Sequence, residues 1–337
     1  MNIEAKPWTR NTPPHKILAI RLQAMGDLVI TLPYLQQLRT TLPSATVLDL
    51  LTKEEVNAIP KNIHLFSKVY SIAGGRDIKK QLLSAAWLLP KLLLQRYDVV
   101  IDLQNNMVSR LIRKSLMPRA WASFDRFSAI AAGERTRLTI EAAGMGDCCM
   151  KPGLKLKNKH VGIELLKANG WNPAFKLVIL NPAGAFKNRN WPIHNYVSFA
   201  QLWLQQFPET QFLITGTDFI AAQALYLKKE LGHHLIDLVN NSTVLDAFAI
   251  IQKAKLVVSE DSGLMHMAWV SGIPTLAIFG STRSDWARPL GDRTSFFDST
   301  DLVCGSCMQR YCRYSDNHCI TRYTPEMVFE KAVLLIR

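Results

Sequence analysis

The stretch VVSEDSGLMHMAWVSGIPTLAIFG, residues 257–280, carries the pattern on which the fold turns. A short apolar run ends in Glu260, Asp261, Ser262 and Gly263. A helical stretch carrying His266 follows, and then a second apolar run after Pro274. Strand, loop, helix and strand in that order form the unit of a parallel sheet with crossover helices. The loop admits two readings. The plain one is a turn in which Asp261 or Ser262 caps the helix. The chemical one is a phosphate cradle, because a helix N-terminus offers free N–H groups and partial positive charge, and neither Ser262 nor Gly263 has bulk at close approach.

The same rhythm extends upstream. KLVILNPAG, QFLITG, HLIDLV and KLVVSE read as strands, separated by helices over PIHNYVSFAQLWLQQF, 218–231 and STVLDAFAIIQKA, and TPEMVFEKAVLLI closes the chain as a helix with Pro325 at its start. The first half shows it too: KILAIRL (16–22), ATVLDLLT (45–52) and YDVVIDLQ (97–104) read as strands, LVITLPYLQQLRTTLP as a helix, and IKKQLLSAAWLLPKLLLQR as one helix kinked or split at Pro90. Residues 105–150 give no ordered pattern. A chain of 337 residues is too long for one core, and two α/β domains in series are expected, 1–172 and 173–337, joined by the basic stretch 150–175.

A net charge of +13 favours acidic partners: nucleic acid, an anionic membrane surface or phosphorylated substrates. The start has no apolar run behind a basic segment, and LLSAAWLLPKLLL (82–94) is too short and too interrupted to span a bilayer, so the chain reads as cytoplasmic. Nucleic acid would call for aromatics interleaved with the basic stretch, and Trp87, Tyr97 and Trp121 are too scattered for that.

In open α/β sheets ligands bind beyond the carboxyl ends of strands, which singles out QAMGD, DLQNN, NPAGAFKNRNW, TGTD and EDSG. Asp27 is either a cap or a general base. The loop 181–191 sets small residues beside Lys187 and Arg189, which suits a diphosphate on a backbone loop. Eight Lys or Arg against two Asp between Lys79 and Arg119 suit an anionic acceptor, or a solvated face. Cys304, Cys307, Cys312 and Cys319, with gaps of two, four and six residues, are candidate ligands for structural Zn or Fe, although the spacing is not that of a standard zinc ribbon.

Four segments together resemble glycosyltransferase family 9, the bacterial heptosyltransferases of the lipopolysaccharide inner core: ILAIRLQAMGDLVITLPYLQQLRTTLPSATV, YDVVIDLQ, LNPAGAFKNRNWP and LVVSEDSGLMHMAWVSGIPTLAIFGST. The resemblance implies the GT-B fold, two Rossmann-like domains facing across a cleft. The first would bind acceptor and the second an ADP-sugar. It implies inverting transfer of a heptose from ADP-heptose to a lipopolysaccharide acceptor, with no cofactor required, at the inner face of the cytoplasmic membrane. By position, Asp27 becomes the base and Arg189 the group that stabilises the departing diphosphate. Gly184, Ala185, Lys187, Asp261, Ser262, Gly263 and His266 hold the donor; Gly26, Gln104, Arg110, Arg113 and Lys114 meet the acceptor. The chain departs from the pattern at Asn105, where the family usually has glycine, and at Gly184 and Ala185, where some relatives have hydroxyl residues. It departs again at Trp269, which replaces a small residue and is expected to narrow the donor pocket. Some family members that modify proteins carry a cysteine metal finger, so a protein acceptor is an alternative. A nucleotide-sugar epimerase on the same fold is another, but it would need an acid–base pair near EDSG.

Overall fold

The structure, a computed structural model, describes residues 2–158 and 160–337, the Lys187 side chain excepted. The chain divides after Lys157 into two units, each built on one six-stranded sheet.

The first sheet contains β1 (Ala5–Lys6), β2 (Lys16–Ile20), β3 (Val47–Lys53), β4 (Val69–Ile72), β5 (Val99–Asp102) and β6 (Ala120–Ser123). Their order is β1-β6-β5-β2-β3-β4, and every pairing is parallel except β1 on β6. The second sheet contains β7 (Lys176–Asn181), β8 (Thr210–Gly216), β9 (Leu235–Val239), β10 (Leu256–Glu260), β11 (Thr275–Ile278) and β12 (Thr294–Phe297), ordered β12-β11-β10-β7-β8-β9 and wholly parallel. Central strands of such sheets are buried on both faces, which is why β2, β5 and β10 read as unbroken apolar runs.

Helices cross between the strands. The helix Ile193–Gln206 buries Tyr196, Phe199 and Trp203 against β7 and β8, in a core that also takes Trp191 and Phe212. Thr243 caps Val244–Ile251 by accepting the Asp246 N–H, while the Asp246 carboxylate accepts the Thr243 N–H. Thr324 caps Pro325–Ile336, with Pro325 in the first turn.

The fold class is the expected one: two parallel-sheet α/β domains. Three details differ from the sequence reading. The boundary lies at 157/158 rather than 172, because the helix Ile163–Ala168 packs on Val244–Ile251 of the second unit, with Gly162 set against Asp246 and Ile250. Pro90 does not split its helix, which runs from Ile78 to Leu93. The unordered stretch 105–150 contains the helix Met107–Leu116, β6 and the helix Ala132–Ala142.

Candidate functional site

In the second sheet the chain moves from β7 through β8 to β9 on one side, then returns to lay β10 on the other side of β7. Ligands of open α/β sheets bind at the carboxyl ends where the strand order reverses. Ser259 of β10 stands in register with Asn181 of β7, so the loops 182–191 and 261–263 leave the sheet side by side. Asn181 Nδ2 donates to both Ser259 Oγ and Ser262 Oγ, each at 2.7 Å. Ser262 also caps the helix Gly263–Val270, its Oγ accepting the Met265 N–H at 3.4 Å. The plain reading of this serine is therefore realised, and capping leaves it at the helix N-terminus, where an anion is favoured.

Arg189 lies 3.9 Å from Asp261 and stacks 4.7 Å over the Phe186 ring. Burial lowers the pKa of this guanidinium, and the charge of Asp261 opposes the drop. Its Nε is buried without a hydrogen-bond partner. A half-used, partly desolvated guanidinium beside a helix N-terminus suits a diphosphate gaining charge.

Beneath the loop lies a residue that the sequence reading did not single out. Glu260 is fully buried, and its carboxylate accepts the Gly184 N–H at 2.6 Å, the Trp191 N–H at 2.7 Å and the Tyr196 hydroxyl at 3.3 Å. Burial pushes the carboxyl up to about 8, and these donors pull against that rise. A Cβ on Gly184 would run into the Asn190 side chain and the Arg189 carbonyl, so the loop needs glycine there.

One expectation needs correction here. The Gly184 N–H points to Glu260, so it is not a phosphate donor. His266 is buried and its Nδ1 accepts the Trp269 indole N–H at 3.1 Å. Trp269 is buried too. Ala185 is exposed on the loop, and the Lys187 side chain lies outside the described residues.

The first sheet reverses between β2 and β5, where Ile20 stands opposite Asp102. Gln104 Oε1 accepts the Leu22 and Gln23 N–H groups, both at 3.0 Å, so this expected acceptor contact is instead a strut between the two loops. Asn105 adopts φ +46°, the left-handed region that favours glycine and tolerates asparagine, and its Nδ2 donates to the Phe124 carbonyl at 2.9 Å. That geometry accounts for the departure at this position.

Asp27 sits in the first turn of the helix Met25–Thr41, one residue after Gly26. One carboxylate oxygen accepts the Ala24 N–H at 3.0 Å, which is helix capping; the other pairs with Arg21 at 2.9 Å. Its side chain remains 43% exposed. Arg21 was read only as strand. It is buried, donates to the Leu103 carbonyl and stacks on Phe124 at 4.9 Å, and burial lowers its pKa against the opposing charge of Asp27.

Arg110 and Lys114 project from Met107–Leu116 into a cavity of about 540 Å³ shared with Asn105 and Trp121. Arg113 lines the same cavity but is buried, pairs with Asp102 at 3.4 Å and stacks on Trp121 at 3.9 Å, so it also holds the helix to the sheet.

All four late cysteines are free thiols lining one cavity of about 830 Å³, together with Asp316 and His318. Burial first, then the neighbouring thiols, push Cys319 up to about 11. Among the described residues no three His, Cys, Asp or Glu side chains form a group able to hold a metal ion.

Residues 134–318 match the family model for glycosyltransferase family 9 (heptosyltransferase). The chain belongs to glycosyltransferase family 9. Among curated proteins it is 27% identical to lipooligosaccharide heptosyltransferase 2 of Campylobacter jejuni, over 48% of this chain and 51% of that relative; the match thus spans about half the relative's length. Two solved structures share the fold. The glycosyl transferase family 9 protein of Veillonella parvula superposes with a TM-score of 0.81 at 15% identity, covering 96% of this chain and 97% of that one. The E. coli ADP-heptose lps heptosyltransferase II gives 0.73 at 17% identity, covering 95% and 98%. In this family 9 chain, the matched segment takes in both loops, 182–191 and 261–263.

Proposed function

We propose that the chain is an inverting heptosyltransferase that moves heptose from ADP-heptose to an anionic lipopolysaccharide inner-core acceptor, without a metal in the chemical step. The observation that carries this reading is Arg189, with its unpartnered Nε, beside Asp261 and the N-terminus of Gly263–Val270 in a family 9 chain. The donor diphosphate lies at that helix N-terminus. As the bond from the sugar's anomeric carbon to the phosphate oxygen breaks, charge grows on the diphosphate, and Arg189 is the group that meets it. The acceptor hydroxyl attacks the opposite face of the sugar, which inverts the anomeric centre, and its proton passes to Asp27. Arg21 keeps Asp27 oriented through the 2.9 Å pair. Purified protein incubated with ADP-heptose, other nucleotide sugars and truncated lipopolysaccharides is expected to add one heptose to lipopolysaccharide from ADP-heptose alone. Transfer to a protein acceptor, or isomerised donor with no transfer, would replace this reading.

The same reading puts the first unit against an anionic membrane surface. Among the described residues no helix is long and apolar enough to cross a membrane. Yet Leu83, Trp87 and Leu94, on or just after the helix Ile78–Leu93, are 63%, 81% and 80% exposed. Spacings of four and seven residues set them on one face, with Lys79, Lys80, Lys91 and Arg96 exposed around them. An apolar stripe with a basic rim lies in the interface of an anionic bilayer. Parent protein is expected to float with vesicles containing phosphatidylglycerol, and the variant carrying Leu83→Ser, Trp87→Ser and Leu94→Ser is expected to stay behind. Equal flotation of both removes this face as the contact.

A further inference from the structure

We propose that Glu260 is a positioning residue for the nucleotide-sugar donor: by accepting the Gly184 and Trp191 N–H groups, it pins both ends of the loop that carries Arg189. The inference rests on the donor reading above but adds a role that no motif carries. Glu260 ends β10, and the next residues, Asp261 and Ser262, begin the anion-binding turn. One strand end therefore supports both the helix N-terminus and, through its carboxylate, the loop from β7.

The geometry is specific. Oε2 takes the Gly184 N–H at 2.6 Å and Oε1 the Trp191 N–H at 2.7 Å, seven residues further along the chain. Tyr196, on the helix that follows the loop, adds its hydroxyl at 3.3 Å. The two N–H groups meet different oxygens of the carboxyl, whereas an amide has one acceptor oxygen and would turn its NH2 toward one of them. Between the pinned ends, the loop is held from the other side, with Asn188 Nδ2 donating to the Gln309 carbonyl at 2.5 Å and the Ser281 N–H to the Asn188 carbonyl at 3.3 Å. Arg189 is thus fixed in front of Asp261 by anchors to either side of it. A buried acid with no cation among these contacts is expensive to keep. Its contacts serve one segment, the one presented to the diphosphate.

The test is Glu260→Gln, which keeps size but cannot accept both N–H groups. Affinity for ADP is expected to fall, and the donor KM to rise, by about tenfold or more, the size expected for one buried N–H group left unpaired. The acceptor KM should stay at the parent value; a general loss of stability would lower the amount of active enzyme and leave the donor KM unchanged as well. Tyr196→Phe, which removes only the longest contact, should bind ADP close to the parent level. Hydrogen exchange on parent protein covers the case in which Glu260→Gln fails to fold. Gly184 and Trp191 amides are expected to exchange slowly without nucleotide and more slowly with ADP. Free exchange at these two amides overturns the latch whatever the variant does. If the parent binds ADP and Glu260→Gln binds it equally well, this role alone is overturned. If the parent binds no ADP, the donor reading and this role fall together.

Discussion

Turnover of the Asp27→Asn variant is expected to drop by about 10²-fold or more, because an amide cannot take the acceptor proton. ADP binding should be unchanged, since Asp27 belongs to the first unit and the proposed diphosphate site is built from the second. The Asn carbonyl can still accept the Ala24 N–H that Asp27 holds at 3.0 Å, so the helix start survives. The variant is nevertheless not silent in folding. Arg21 is buried and would lose its ionised partner, keeping only the Leu103 carbonyl and the Phe124 ring. About 1–3 kcal/mol of stability is expected to go with it, visible as a lower melting temperature. Steady-state kinetics at saturating donor and acceptor, with ADP calorimetry beside them, check both parts. Turnover near the parent value would return Asp27 to the plain role of a cap.

Arg189→Ala is expected to cost about 10²–10³ in turnover, the range seen when one donor to a developing negative charge is removed. Affinity for the intact ADP-sugar, read as the donor KM, should fall by much less. The reason lies in when the charge appears: ground-state ADP-sugar carries less charge on the bridging phosphate than the departing ADP does. Arg189→Lys keeps the charge but loses the planar fork, and an intermediate turnover is expected. If Arg189→Ala raises the donor KM and leaves turnover unchanged, the guanidinium serves binding uniformly and the leaving-group role is wrong.

The elements that could be read from the sequence share one property. β2, β5, β7 and β10 are central and buried on both faces, so each is a run of apolar residues bounded by polar loops. The caps of Thr243 and Thr324 are equally local, each bonding to an amide three residues away. β4, β6 and β12 escaped because they lie at or near sheet edges, where short strands with mixed burial look like loop. Within the candidate site, Asp27, Arg189, Asp261 and Ser262 were legible because loops after strands are where ligands bind. The burial of Arg113 was not legible because the count of basic residues says nothing about which side of a helix each occupies, and Arg113 faces Asp102 and Trp121.

By itself, the sequence determined that this is an α/β chain of two domains, which loops follow its central strands, and its family. Those are properties of short windows, set by apolar periodicity, capping and turn chemistry. Tertiary structure alone decided which loops meet. Asn181 reaches Ser259 and Ser262, and Glu260 reaches Gly184 and Trp191, across some seventy to eighty residues of chain. The cause is the parallel sheet: neighbouring strands are joined by crossover helices, so residues adjacent at the carboxyl edge are distant along the chain. The same distance hid Glu260, Asn181 and Arg21. A buried polar residue is recognisable only through the partners that satisfy it, and those partners come from strands that only the folded sheet sets side by side.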